Sequence, residues 1–166
     1  MPIQSPIDLF VYDLSAIHSA EQSKLHLLPQ MEQVCRHQQV KQLFGDEIPE
    51  TQRQITRLQE CFRLMNVQPM NVASHAVACM HQDLQDFMQQ NPSQEATDAF
   101  CLGLAMKLDH YEIASYMGLA EMARQMGQTQ VVSLLEDNLN DERSSAQRIQ
   151  QVSRQVVSQV IQGTSP

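Results

Sequence analysis

Apolar residues recur at spacings of three and four along almost the whole chain, the period of an amphipathic helix, and no stretch of useful length alternates as a half-buried strand does. The stripes and the punctuation between them predict five helices. The first opens on Ser5-Pro6-Ile7-Asp8, which supplies a capping serine, a proline at the first helical position and an acid three residues after the cap. Its stripe runs Leu14, Ile17, Glu21, Leu25 and Leu28, and it is expected to kink at Pro29 and end near Arg36. The second carries Phe44, Ile48, Thr51, Ile55, Leu58, Phe62 and Met65 and stops before Pro69; Gly45 and Pro49 predict a kink or short break near 45 to 49. A shorter third helix is expected over residues 72 to 89, closed by Asn91-Pro92, which is also expected to cap the next. The fourth presents Leu102, Ala105, Leu108, Glu112, Tyr116, Leu119 and Ala123, and Gly127 supplies the left-handed residue that ends it. The fifth runs from about Thr129 through Val131, Leu135, Leu139, Glu142, Ala146, Ile149, Val156 and Val160 to Gly163.

This pattern reads as an all-α fold, a four-helix bundle of long antiparallel helices with one short crossover helix, and the 166 residues suit a single domain, 1–166. What does not suit a plain bundle is acid in the stripes. Glu21, Glu112 and Glu142 interrupt three of them, and Glu50 lies beside the stripe of the other. A carboxylate facing a core must be neutralised, hydrogen-bonded or bound to metal, because an unpaired buried charge costs more than an apolar contact returns. Counting residues sets their heights. Glu112 stands 15 residues before Gly127 and Glu142 stands 15 after it, so in an antiparallel hairpin both lie about 22 Å from the turn and face each other. For the first hairpin, with a turn near His37, the level of Glu21 falls near Arg53 and Gln54, with Glu50 one turn closer to the loop. Convergent carboxylates from separate helices are how ferritin-like bundles hold two metal ions.

A formal charge of -8 without a Lys/Arg cluster argues against nucleic acid or an anionic membrane as a partner. The first residues, MPIQSPIDLF, lack a basic segment and an apolar segment of the kind that directs export, and no run of about 18 apolar residues occurs, so a cytoplasmic location is expected. Cys35, Cys61, Cys79 and Cys101 are widely spaced with no CxxC pair, which predicts reduced thiols that fill the core rather than a disulfide framework. The 25 glutamines are scattered over polar faces. Of the histidines, His18 stands three residues before Glu21 and is open to two readings, ligand or neighbour of that acid, whereas His110 sits two residues from Glu112 and does not share its face. Tyr111 and Tyr116 read as core tyrosines within reach of the carboxylates. No nucleophile triad, phosphate loop or cofactor fingerprint marks another enzyme class, and no specific small-molecule substrate is indicated.

The run Asp109-His110-Tyr111-Glu112-Ile113-Ala114-Ser115-Tyr116 resembles the EHYEIASY signature of the bacterial YciE/YciF family of ferritin-like proteins. Ser19-Ala20-Glu21-Gln22 is similar to that family's SAEKQL, Leu28-Pro29-Gln30-Met31 to its LPKM, Glu50-Thr51 with Ile55, Arg57 and Leu58 to its EETxxQIERL, and Leu134-Leu135-Glu136 through Glu142 to its LLKETLEEEK. The resemblance spans essentially the whole chain. It implies a rubrerythrin-like dimetal arrangement, with a carboxylate from helix 1, an ExxH pair from helix 2, an ExxE pair from helix 4 and a carboxylate followed by histidine from helix 5. On that pattern the metal-ligating candidates are Glu21, Glu50, Asp109, Glu112 and Glu142, and the cofactor is a dinuclear iron or manganese centre. The histidine places hold Gln52, Arg53 and Gln54 on helix 2 and Ser145 and Ala146 on helix 5, and Pro49 stands where the family shows acid. Carboxylates without imidazole favour harder, oxygen-liking ions. Two function classes are open: a stress-associated protein with a metal-binding or redox-protective role, and a metal-free helical structural or interaction protein on the same scaffold. The resemblance, with the frequency of two-fold pairs, implies a homodimer formed through the helix 1 and 2 surface.

Overall fold

The computed structural model describes residues 3–163, most of them in helices. Helix α1 spans Pro6–Val34, α2 Gln38–Leu64, α3 His75–Gln89, α4 Gln94–Gln125 and α5 Thr129–Gly163. The start of α1 forms as its residues dictate: the Ser5 hydroxyl accepts from the Asp8 N–H, and the Asp8 carboxylate accepts from the Ser5 N–H. At the other end of the long hairpin, Gly127 takes φ +71° and closes α4. Asn91, at φ 50°, turns the chain after α3, and Ser93 rather than Asn91 caps α4 by accepting from the Ala96 N–H. Residues 72–74, expected in the third helix, precede it. The side chain of Val160 lies outside the described ones.

The break expected near 45 to 49 is absent. Helix α2 continues through Gly45 and Pro49 because both flanks are anchored in the core, with Phe44 on one side and Thr51, Ile55 and Leu58 on the other all buried. Packing of that face outweighs the donor that Pro49 lacks. Helix α1 likewise continues through Pro29.

The four long helices form a ring in which α1 packs on α2, α2 on α5, α5 on α4, and α4 on α1. Helix α3 lies across α1 and α4, where Phe87 stacks on Phe100 with ring centroids 3.9 Å apart. The segment leading to α3 is tied down by the Ser15 hydroxyl, which donates to the Val11 carbonyl and accepts from the Met70 N–H. Apolar layers built from Phe10, Leu14, Phe44, Leu102 and Leu28 fill the core towards its ends. Between them, buried acidic and amide side chains lie among apolar ones such as Ile17, Leu108 and Leu139.

Candidate functional site

Each long helix sends acidic side chains into the middle of the bundle. Glu21 comes from α1, Glu47 from α2, Asp109 and Glu112 from α4 and Glu142 from α5, all at most 2% exposed. The helical period explains the α4 pair, since Asp109 and Glu112 are three residues apart on one face. Among the described residues, Glu21, Glu112 and Glu142 are the one group of three whose potential ligand atoms lie within 4.8 Å of one another. The level match counted about Gly127 is therefore present. Glu50 lies elsewhere: it turns outward and pairs with Arg148 at 2.9 Å. The inward acid of α2 is Glu47, one turn earlier, whose carboxylate accepts from the Ser145 hydroxyl at 2.6 Å. His18 also stands apart from the cluster, edge-on to Phe62 at 5.8 Å, and burial lowers its pKa.

The middle of the cluster contains an ammonium group. Lys24, one helical turn after Glu21 and 2% exposed, donates to Glu112 at 2.6 Å and to both oxygens of Glu142 at 3.2 Å, and lies 3.5 Å from Asp109. Burial opposes its charge, but Glu112, Glu142, Asp109 and Glu21 outweigh that and hold its pKa well above the ordinary value. Further donors point the same way. Gln54 donates to Glu142 at 2.6 Å, and the Tyr116 hydroxyl donates to Glu21 at 2.5 Å while accepting from Asn138 at 3.1 Å. Asn138 also donates to the Gln54 carbonyl, and its own carbonyl accepts from Arg57, which bonds Asp141 as well.

Five carboxyl groups against one ammonium leave an excess of negative charge, and protons relieve it. Burial pushes the Glu21 carboxyl up to about 8 against the lowering effect of Lys24, with Glu142 adding to the rise. Burial likewise raises Glu47, and it holds Asp109 and Glu112 well above the carboxylate range. Among the described residues, the oxygens Glu21 Oε2, Glu47 Oε2, Glu112 Oε1 and both of Asp109 have no hydrogen-bond partner. A proton on such a group turns one orphan acceptor into a donor.

As the side chains stand, the cluster differs from the donor set of a dinuclear iron or manganese centre. Metal ions in such centres lie about 3.5 to 4 Å apart and need lone pairs directed at them. Here the groups aimed at the carboxylates are an ammonium, an amide NH₂ and a phenol, all of which donate protons. The Lys24 ammonium lies between the carboxylates of Glu112 and Glu142. Among the described residues no imidazole nitrogen joins the cluster.

Lys24 was not singled out from the sequence, although two signals mark it. It falls three residues from Glu21 on the buried side, and in the SAEKQL motif that residues 19–24 resemble its place is taken by leucine. Glu47 also passed unnoticed. The true inward positions of α2 run 44, 47, 51, 54 and 58, whereas Ile48, assigned to the stripe, is only partly buried.

The chain belongs to the family described as a domain of unknown function (DUF892), which matches residues 5–162. It is 27% identical over 139 residues to Protein YciF of Escherichia coli strain K12, covering 83% of this chain and 84% of that protein. The crystal structure of the E. coli stress protein YciF superposes with a TM-score of 0.90 at 25% identity, covering 94% of this chain and 99% of that one. YcfI of Rhodopseudomonas palustris, a candidate structural protein, matches with a TM-score of 0.85 at 28% identity over 89% of this chain and 94% of its own. A Xanthomonas campestris protein at 20% identity and a TM-score of 0.76 shares the fold. Among the described residues no helix is long and apolar enough to cross a membrane.

Proposed function

We propose that this chain is a stress-associated helical scaffold or interaction protein whose central carboxylates are balanced by Lys24 and by protons, without metal. The observation that carries this reading is the Lys24 ammonium, 2.6 Å from Glu112 and 3.2 Å from Glu142 in the middle of the cluster. The stress association rests on the likeness to YciF, and a structural role accords with the likeness to YcfI. With every carboxyl and hydroxyl of the cluster buried, the residues orient and neutralise one another and offer no side chain to a substrate. The exposed apolar side chains Ile7, Leu9 and Tyr12 of α1 support pairing as a homodimer, for which sedimentation at tens of micromolar is the check.

A second reading keeps a metal-binding, redox-protective role with iron or manganese held by Glu21, Asp109, Glu112 and Glu142. The unpartnered oxygens of Glu21, Asp109 and Glu112 favour it. Metal analysis of protein purified without chelator, followed by melting with and without added Fe(II) or Mn(II), separates the two. Substoichiometric metal and an unmoved midpoint are expected. Stoichiometric metal, or a midpoint raised by either ion, would refute the metal-free reading.

A further inference from the structure

Three of the four cysteines are buried as expected, and Cys79 is exposed. Two of the buried ones are neighbours in space. Cys35 ends α1 and is 2% exposed; Cys101, on α4 one helical turn beyond Asp98, is fully buried, and its thiol is the foremost influence that raises the pKa of Cys35. The surrounding contacts hold them there. Gln94, Asp98 and Cys101 follow at spacings of four and three along one face of α4, and that face grips the turn between α1 and α2. Gln94 donates to the Val34 carbonyl at 2.9 Å, and the Asp98 carboxylate accepts from the N–H groups of Arg36 and His37 at 2.9 and 3.1 Å. Both ends of the turn are thus fixed in register against α4, with Cys35 between them.

Two sulfurs so placed can either share a metal or bond to each other. A metal needs at least a third ligand, and among the described residues no ligand group of three includes either thiol. We propose that Cys35 and Cys101 are an oxidation site, converted by a low-molecular-weight disulfide into an intramolecular cross-link that fastens the α1–α2 turn to α4. The exchange balances as Cys35–SH + Cys101–SH + RSSR giving Cys35–S–S–Cys101 + 2 RSH. The Cys35 sulfur gives up its proton and attacks RSSR, releasing the first RS⁻ as thiol. The Cys101 sulfur then displaces the second RS⁻ from the mixed disulfide, giving up its own proton, and the two electrons end on the released thiols.

In the closed structure the Cys101 thiol, burial and the charge of Asp98 keep Cys35 protonated, so the pair resists exchange until the turn opens. Oxidation is therefore slow in the resting fold and accelerates when heat or denaturant loosens that end of the bundle. The link joins residues 101 minus 35, or 66, positions apart and encloses all of α2 and α3, a loop long enough for closure to constrain the unfolded chain substantially.

The test uses the full chain carrying Cys79→Ala, which removes the exposed thiol, incubated with oxidised glutathione below and near its melting midpoint. The expected product has lost two hydrogens, yields one proteolytic peptide pair joining Cys35 to Cys101 and melts several degrees above the reduced protein. Reductant should reverse all three changes, and Cys35→Ser and Cys101→Ser, each confirmed folded by circular dichroism, should give no cross-link. The unsubstituted chain, which depends on no variant folding, must show the same peptide pair beside a glutathione adduct on Cys79. Stable single adducts on Cys35 or Cys101, a link to Cys61, or Cys35 and Cys101 both persisting as free thiols after incubation near the midpoint would each overturn the proposal.

Discussion

The same four helices are apolar at one height and charged at another, and the two heights answer different questions. Around Phe10, Leu14, Phe44 and Leu102 the buried side chains are mostly apolar, and their contribution scales with the area they remove from water. Around Lys24 the area is as completely buried, yet the net contribution depends on whether each charge meets its partner. Apolar layers tolerate any fit of about the right volume. The polar layer accepts one register, because sliding a helix by a turn would bury a carboxyl or an ammonium alone. The first kind of layer makes the bundle stable, and the second decides which helices align and at what level.

The largest expected break in this comparison is Lys24→Ala. Removing the ammonium leaves Glu112, Glu142 and Asp109 without their cation, and loss of one partner from a buried pair costs about 3–5 kcal/mol. Urea unfolding at neutral pH should show this, and the deficit should shrink at pH 5, where protons replace the lost charge. Leu102→Ala, in an apolar layer, should cost about 2–5 kcal/mol by leaving a cavity. Its cost should be the same at both pH values, which distinguishes the layers even where the totals coincide.

Acidity is the next lever. The Glu21 carboxyl has an ordinary value of 4.5 and is raised to about 8 in the folded chain, so the folded state binds the proton more tightly than the unfolded one. That contribution is fully present below about 4.5 and is lost as pH rises through about 8. Glu47, Asp109 and Glu112 shift in the same direction. The melting midpoint should fall between pH 6 and pH 8.5, and Glu21→Gln should flatten the slope. An unchanged midpoint across that range would mean that the cluster carries full charge by some other compensation. The smallest effect is expected for Glu112→Gln, which keeps an acceptor for Lys24 and deletes an excess acid. It should alter stability by no more than about 1 kcal/mol, towards greater stability, and should not change any response to added Fe(II) or Mn(II).

Much of the fold is legible in the sequence because its signals are local. The capping box at Ser5, the left-handed Gly127 and the three-four spacing of leucines each act within a few residues. The equal distances of Glu112 and Glu142 from Gly127 fix their level by arithmetic, so that half of the cluster was readable too. The other half depended on tertiary facts. Pro49 argues for a break when judged by its own turn, but the buried faces on both sides carry α2 through it, and that continuity puts Glu47 rather than Glu50 inside. Lys24 reads alone as a solvated residue. Only the convergence of Glu112 and Glu142 from other helices makes a buried lysine favourable. The contact between Cys35 and Cys101 joins an α1 terminus to α4, and nothing in their spacing announces it.

Because the ammonium at the centre is part of the polypeptide, it arrives with the chain at synthesis, in fixed ratio, and cannot be diluted, chelated or exchanged. A bundle held by a bound ion changes with the supply of that ion. On the proposed metal-free reading, this one would meet scarcity and excess of metal with the same interior, a useful constancy when the surrounding ion levels are themselves disturbed.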